Sequence, residues 1–120
     1  MPEQTSRLKI TEADKICTVE FVDRKILDEI CIAEIEEELF RLVDSKKGLR
    51  LLVSFKNVGH FTSAALSMLL KLKRRMDDSK GVLKLSDISP QIYDVFKITQ
   101  LNKKFDIHDT AQEALSSYSA

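Results

Sequence analysis

The chain has no tryptophan, two cysteines, two prolines and three glycines among its 120 residues. Each scarcity narrows the choice of function. Cys17 and Cys31 stand outside any CxxC pair, and His60 and His108 have no ligand-like spacing to them. This argues against a structural zinc site or any other metal site, and the expectation is two small buried or half-buried thiols. An excess of charge is also missing, with 19 basic and 19 acidic residues and a formal net charge of zero. A general nucleic-acid binder is strongly basic, so no direct nucleic-acid partner is expected. A neutral chain likewise has no global attraction to an anionic membrane. The apolar runs are a few residues long, against the ~20 that a membrane span needs. The start Met1-Pro2-Glu3-Gln4-Thr5-Ser6 is polar and unlike a signal peptide, which points to the cytoplasm. So little proline and glycine leaves no linker, repeat or low-complexity tract, and the expectation is one domain over residues 1–120.

What is present is a folding pattern. The chain is 43% hydrophobic and 32% charged, which favours a compact core over disorder. Residues 8–13 alternate and read as a strand. Residues 16–22 follow, with Cys17, Val19 and Phe21 on one face, and the short gap predicts a hairpin. A helix is expected from about Asp28 to Asp44, with Ile32, Ile35, Leu39, Leu42 and Val43 as its buried stripe. Glu34, Glu36, Glu37 and Glu38 crowd the other positions and read as a solvated face, with a docking face for a basic partner as the alternative. Ser45-Lys46-Lys47-Gly48 supplies basic residues and a left-handed cap at the helix end.

Residues 49–55 read as a strand buried on both faces, hence central. Asn57 to Phe61 is the loop out of it. A second helix is predicted over 63–78, with Leu66, Leu69, Leu70, Leu72, the stem of Lys73 and Met76 inward. Lys80-Gly81 ends it. A short strand covers 82–86. Ser89 caps a third helix with Pro90 at its first position, and Ile92, Val95, Phe96 and Thr99 form its inner side. Leu101, Phe105 and Ile107 belong to a connection that can hold a terminal strand. Asp109-Thr110 opens a last helix with Ala111, Ala114, Leu115 and Tyr118 on its apolar side. Strands alternating with helices imply an α/β fold, a mixed sheet with parallel crossovers.

The search for catalytic chemistry finds little. Gly48, Gly59 and Gly81 are scattered and make no phosphate loop. His60 lies three residues before Ser63, a spacing too common to mark a nucleophile and its base, and it reads as an ordinary loop residue. No carboxylates form an obvious pair. The chain is therefore expected not to be an enzyme, and no cofactor is implied. The sharpest local feature is Val58-Gly59-His60-Phe61-Thr62-Ser63-Ala64-Ala65-Leu66, which joins a buried strand to a helix whose first turn is made of small residues. Thr62 or Ser63 can cap that helix, and a phosphate would be well tolerated at the same place.

Residues 51–70 resemble the central signature of the STAS domains, the family of the anti-sigma factor antagonists. The resemblance continues through Gly81-Val82-Leu83-Lys84-Leu85, Ser89-Pro90, residues 95–99, Leu101, Phe105 to Asp109, and Glu113-Ala114-Leu115, so it covers about residues 8–118. It implies a STAS-like mixed sheet of four to five strands with about four helices. It also implies an anti-sigma factor antagonist. Such a protein binds an anti-sigma factor that is also a serine kinase, which frees the sigma factor. Phosphorylation abolishes the binding and a serine phosphatase restores it. Ser63 falls on the phosphorylated position, with Thr62 and Ser67 as backup acceptors. The partner surface then comprises Val58, Gly59, His60, Phe61, Thr62, Ser63, Ala64 and Ser67, flanked by Lys71 and Arg74 or Arg75. The sequence departs from the pattern at Thr62, where many phosphorylated members have Asp, at Ala65, where they have Gly, and at Ser54, where an acid or amide is common. These departures admit an alternative, a STAS scaffold or transporter-accessory domain with no phosphorylation. The neutral charge and the lack of an obvious apolar surface stripe favour a monomer.

Overall fold

The computed structural model describes residues 8–13, 15–22, 25–26 and 29–118. The polar start at residues 1–6, the turn residue Asp14, Asp28 at the expected start of the first helix, and residues 119–120 lie outside them.

The N-terminal hairpin forms as the alternation requires. Strand β1 (Leu8–Ala13) pairs antiparallel with β2 (Ile16–Phe21), Leu8 opposite Phe21 and Glu12 opposite Cys17. After β3 (Lys25–Ile26) comes helix α1 (Glu29–Asp44). It ends at Asp44 and not at Gly48. Gly48, four residues on, is left-handed (φ 71°) but serves the turn into the next strand, its amide donating to the Ser79 carbonyl at 2.9 Å. Strand β4 (Arg50–Ser54) lies parallel to β2 and is the middle strand of five, with residues 51 to 55 all buried. Its unbroken apolar run follows from that place, because both faces are covered.

Next come β5 (His60–Phe61), helix α2 (Ser63–Asp78), strand β6 (Val82–Ser86) and helix α3 (Pro90–Ile98). A 3₁₀ turn (Leu101–Lys103) leads to β7 (Asp106–His108), and helix α4 (Ala111–Tyr118) ends the described chain. The main sheet runs β1-β2-β4-β6-β7, parallel except at the hairpin. Four helices among the described residues accompany five strands, the mixed α/β arrangement expected. The expected caps are in place too. Ser89 accepts the amide of Ile92 and Thr110 accepts the amide of Glu113, at 3.4 and 3.1 Å.

One face of the sheet builds the core. Cys17, Val19, Phe21, Leu51, Val53, Phe55 and Leu85 meet Ile35 and Leu39 of α1, Leu66, Leu69, Leu72 and Met76 of α2, and Ile92 and Phe96 of α3. The helices bury a wider arc than their stripes suggested. Cys31, Ala65 and Met68 are buried, whereas Leu42 and Leu70 are half-buried. The cause is that α1 and α2 pack on each other as well as on the sheet. Thr99 is exposed, not part of the inner side of α3, because its hydroxyl turns back to donate to the Val95 carbonyl at 2.7 Å. Both cysteines are buried thiols, and burial together with Glu12 raises the Cys17 thiol pKa against a smaller opposing pull from Lys46.

Helix α4 covers the other face over β4, β6 and β7. That face is polar underneath. Lys84 pairs with Asp106, its ammonium lies 5.1 Å from the Tyr118 ring centre, and the Tyr118 hydroxyl donates to the Leu51 carbonyl. Burial pushes the Asp106 carboxyl up, but Lys84 and then His108 outweigh it and hold the group below its ordinary range.

Candidate functional site

The loop between β4 and α2 is held from below by apolar side chains. Val58 is 4% exposed and its amide donates to the Phe55 carbonyl at 3.0 Å. Phe61 is half-buried with its ring edge-on to Phe55 at 5.2 Å and tilted to Phe21 at 6.1 Å. His60 and Phe61 also pair, parallel, with Lys25 and Ile26. The segment expected as plain loop is therefore a short strand in a second, two-stranded sheet. Two-residue bridges carry no hydrophobic period, so nothing in the local sequence announces them.

A polar knot fixes the start of the same loop. Ser54 ends β4 and Ser86 ends β6, opposite each other in register and both buried. Both hydroxyls donate to Asp87 Oδ2, at 3.3 and 2.8 Å, and the Lys56 amide donates to Ser54 Oγ at 3.3 Å. Phe55 donates its amide to the Ser86 carbonyl at 2.9 Å. Asp87 reaches both serines from a left-handed backbone (φ 58°), a conformation that Asp tolerates better than most residues. Sequence reading missed this knot. Its members lie 33 positions apart, and only the strand register brings them together.

The start of α2 resolves which hydroxyl does what. Thr62 is the N-cap, and its Oγ1 accepts the Ala65 amide at 3.2 Å. Ser63 is the first residue of the helix and is exposed, and among the described residues nothing hydrogen-bonds its hydroxyl. No hydrogen bond joins His60 to Ser63 there either, so the pair lacks the contact that a nucleophile and its base require. Ser67, Lys71 and Arg74 follow at helical spacing and are exposed on the same side. Arg75 turns the other way. Its guanidinium stacks 4.5 Å from the Phe40 ring centre and pairs with Asp44 at 2.8 Å.

The expected surface residues thus divide. His60, Ser63, Ala64, Ser67, Lys71 and Arg74 are exposed, Gly59, Phe61 and Thr62 are half-buried, and Val58 lies beneath the loop as its anchor. Among the described residues no three His, Cys, Asp or Glu side chains are grouped to hold a metal ion, and no helix is long and apolar enough to cross a membrane.

The comparisons with known proteins fit this geometry. The family model of the STAS domain matches residues 7–114. An anti-sigma-factor antagonist (STAS) domain protein from Planctomyces limnophilus superposes with a TM-score of 0.85 at 21% identity, over 94% of this chain and 98% of its own. An anti-sigma factor antagonist from Mycobacterium paratuberculosis gives 0.81 at 17% identity, over 94% and 93%. The Bacillus cell fate determinant SpoIIAA in its phosphorylated form gives 0.68 at 16% identity, over 92% and 98%. No curated protein matches the chain at a significant level.

Proposed function

We propose that this chain, which belongs to the STAS domain family, is an anti-sigma factor antagonist that works by partner switching in the cytoplasm. In its unphosphorylated form it binds an anti-sigma factor that is also a serine kinase, and so releases the sigma factor. Phosphorylation of Ser63 ends the binding, and a serine phosphatase restores it. The contact surface is His60, Phe61, Ser63, Ala64 and Ser67, extended down α2 by Lys71 and Arg74.

The observation that carries this reading is the division of labour between Thr62 and Ser63. Thr62 satisfies the helix terminus, so the Ser63 hydroxyl is left exposed for modification. The helix N-terminus accommodates the added anion, since its free amides and dipole favour negative charge. Phosphorylation can therefore alter the surface without undoing the fold. A phosphate brings roughly −1.5 to −2 charges into the middle of the contact. Desolvating it against a partner fitted to a neutral hydroxyl costs several kcal/mol, enough for a switch.

The test is a paired capture from native lysate, with the wild-type chain and Ser63→Asp as baits and mass-spectrometric identification of what each holds. A kinase-like anti-sigma factor retained by wild type and lost by Ser63→Asp supports the switch. Equal recovery of the same partners sinks it, and leaves the reading of a STAS scaffold without a phosphorylation switch.

A further inference from the structure

We propose that the edge of the sheet opposite Ser63 is a docking surface for an anionic lipid bilayer. The register sets Ile16, Arg50 and Val82 in one row at the starts of β2, β4 and β6. Asp106 of β7 pairs opposite Lys84, two residues past that row, and the 3₁₀ turn that leads into β7 carries Lys103 and ends at Lys104. The segments entering these four strands therefore emerge together, and each brings lysine. Lys15 precedes β2, Lys46 and Lys47 precede β4, Lys80 precedes β6, and Lys103 and Lys104 precede β7. With Arg50 they make seven exposed cations along an edge of about 14 Å, three strand spacings.

None of the seven sits in an ion pair among the described residues. The nearby acids are few. Asp44 and Asp77 are engaged by Arg75 and Lys73. Glu12 and Asp78 remain, with Asp14 beside Lys15 in the sequence, and the edge stays cationic. Since the whole chain is neutral, this excess is balanced elsewhere, chiefly by Glu29, Glu34, Glu36, Glu37 and Glu38 of α1. Helix dipoles do not account for it. The last turns of α1, α2 and α3 already carry Arg41, Arg75 and Lys97. The seven cations are additional and lie on loops or at a strand start.

The chemistry favours a bilayer over other polyanions. Six of the seven are lysines, hydrated point charges suited to a diffuse anionic surface, whereas paired recognition of single phosphates favours arginine. No exposed aromatic side chain stands among them to stack on a nucleic-acid base, since Phe105 is buried. Clusters of four to eight basic residues are what anionic headgroups attract. Docked this way, the chain holds the Ser63 edge away from the membrane and open to a protein partner.

The test is cosedimentation of the full chain with vesicles of phosphatidylcholine alone or containing about 30% phosphatidylserine. At about 50 mM salt the chain should bind the anionic vesicles and not the neutral ones, and near 300 mM it should release them. The variant Lys46→Gln, Lys47→Gln, Lys104→Gln should bind about a hundredfold more weakly. Lys9→Gln, Lys56→Gln, which removes two cations from the opposite edge, should bind like wild type. Circular dichroism identifies any variant that fails to fold. Equal association with both vesicle types at low salt, or no association, overturns the proposal. So does duplex DNA that displaces the vesicles at matched phosphate concentration, since that would make the edge a nucleic-acid surface.

Discussion

The two ends of the sheet are built by different means. At the Ser63 end the loop is positioned by side chains distant in sequence, with Phe61 on Phe55 and Phe21, and Ser54 and Ser86 on Asp87. At the lysine end the turns are held backbone to backbone, the Gly48 amide on the Ser79 carbonyl and the Val82 amide on the Leu49 carbonyl, both at 2.9 Å. Gly48 takes a left-handed turn, and Gly81 lets β6 pass so close to β4 that an added Cβ would stand 2.7 Å from the Leu49 carbonyl oxygen. The difference teaches where specificity resides. Backbone contacts close one end of the sheet, while side-chain contacts position the loop that leads to Ser63 at the other.

Substitutions can break each end separately. The largest effect on stability should come from the lysine end. Gly81→Ala places a methyl against backbone, with Met76 Cε at 2.8 Å, and should cost about 2–3 kcal/mol in denaturant unfolding. An unchanged midpoint would show that the two strands can part at no cost. Asp87→Ala should cost about 2 kcal/mol, because two buried hydroxyls lose their common acceptor. It should also raise hydrogen exchange at the Lys56 amide. Asp87→Asn should recover much of the loss, since Asn keeps an acceptor oxygen and tolerates the left-handed backbone. Equal exchange at Lys56 in all three proteins would remove the knot from the account of the loop. The smallest effect belongs to Thr62→Ala, about 1 kcal/mol for a lost cap. Ser63→Ala should change stability far less, and the reverse order would mean that Ser63, not Thr62, caps α2.

The same contrast explains what the sequence disclosed. Helix α2 spans the predicted residues 63–78, β6 the predicted 82–86, and Ser89, Pro90 and Thr110 mark helix starts where expected. Those features arise from neighbours in the chain. The central strand was legible because burial on both faces leaves an unbroken apolar run. The small sheet of β3 and β5 and the role of Asp87 were not, because each joins residues more than thirty positions apart. The choice between Thr62 and Ser63 as cap also needed coordinates, since both residue types cap helices and propensity alone would favour Ser over the Thr that does so here. Composition hid the charge pattern altogether. A net charge of zero is the sum of a cationic sheet edge and an acidic helix, and only the topology separates them.

The central claim is that a phosphate on Ser63 turns off a protein contact without disturbing the fold. The most direct measurement is calorimetric titration of the captured kinase-like partner with the chain carrying serine or phosphoserine at position 63, each checked by circular dichroism. The account predicts matching spectra and an affinity at least about 100-fold weaker for the phosphorylated chain, equivalent to roughly 2.7 kcal/mol. Matching spectra with equal affinities would contradict it.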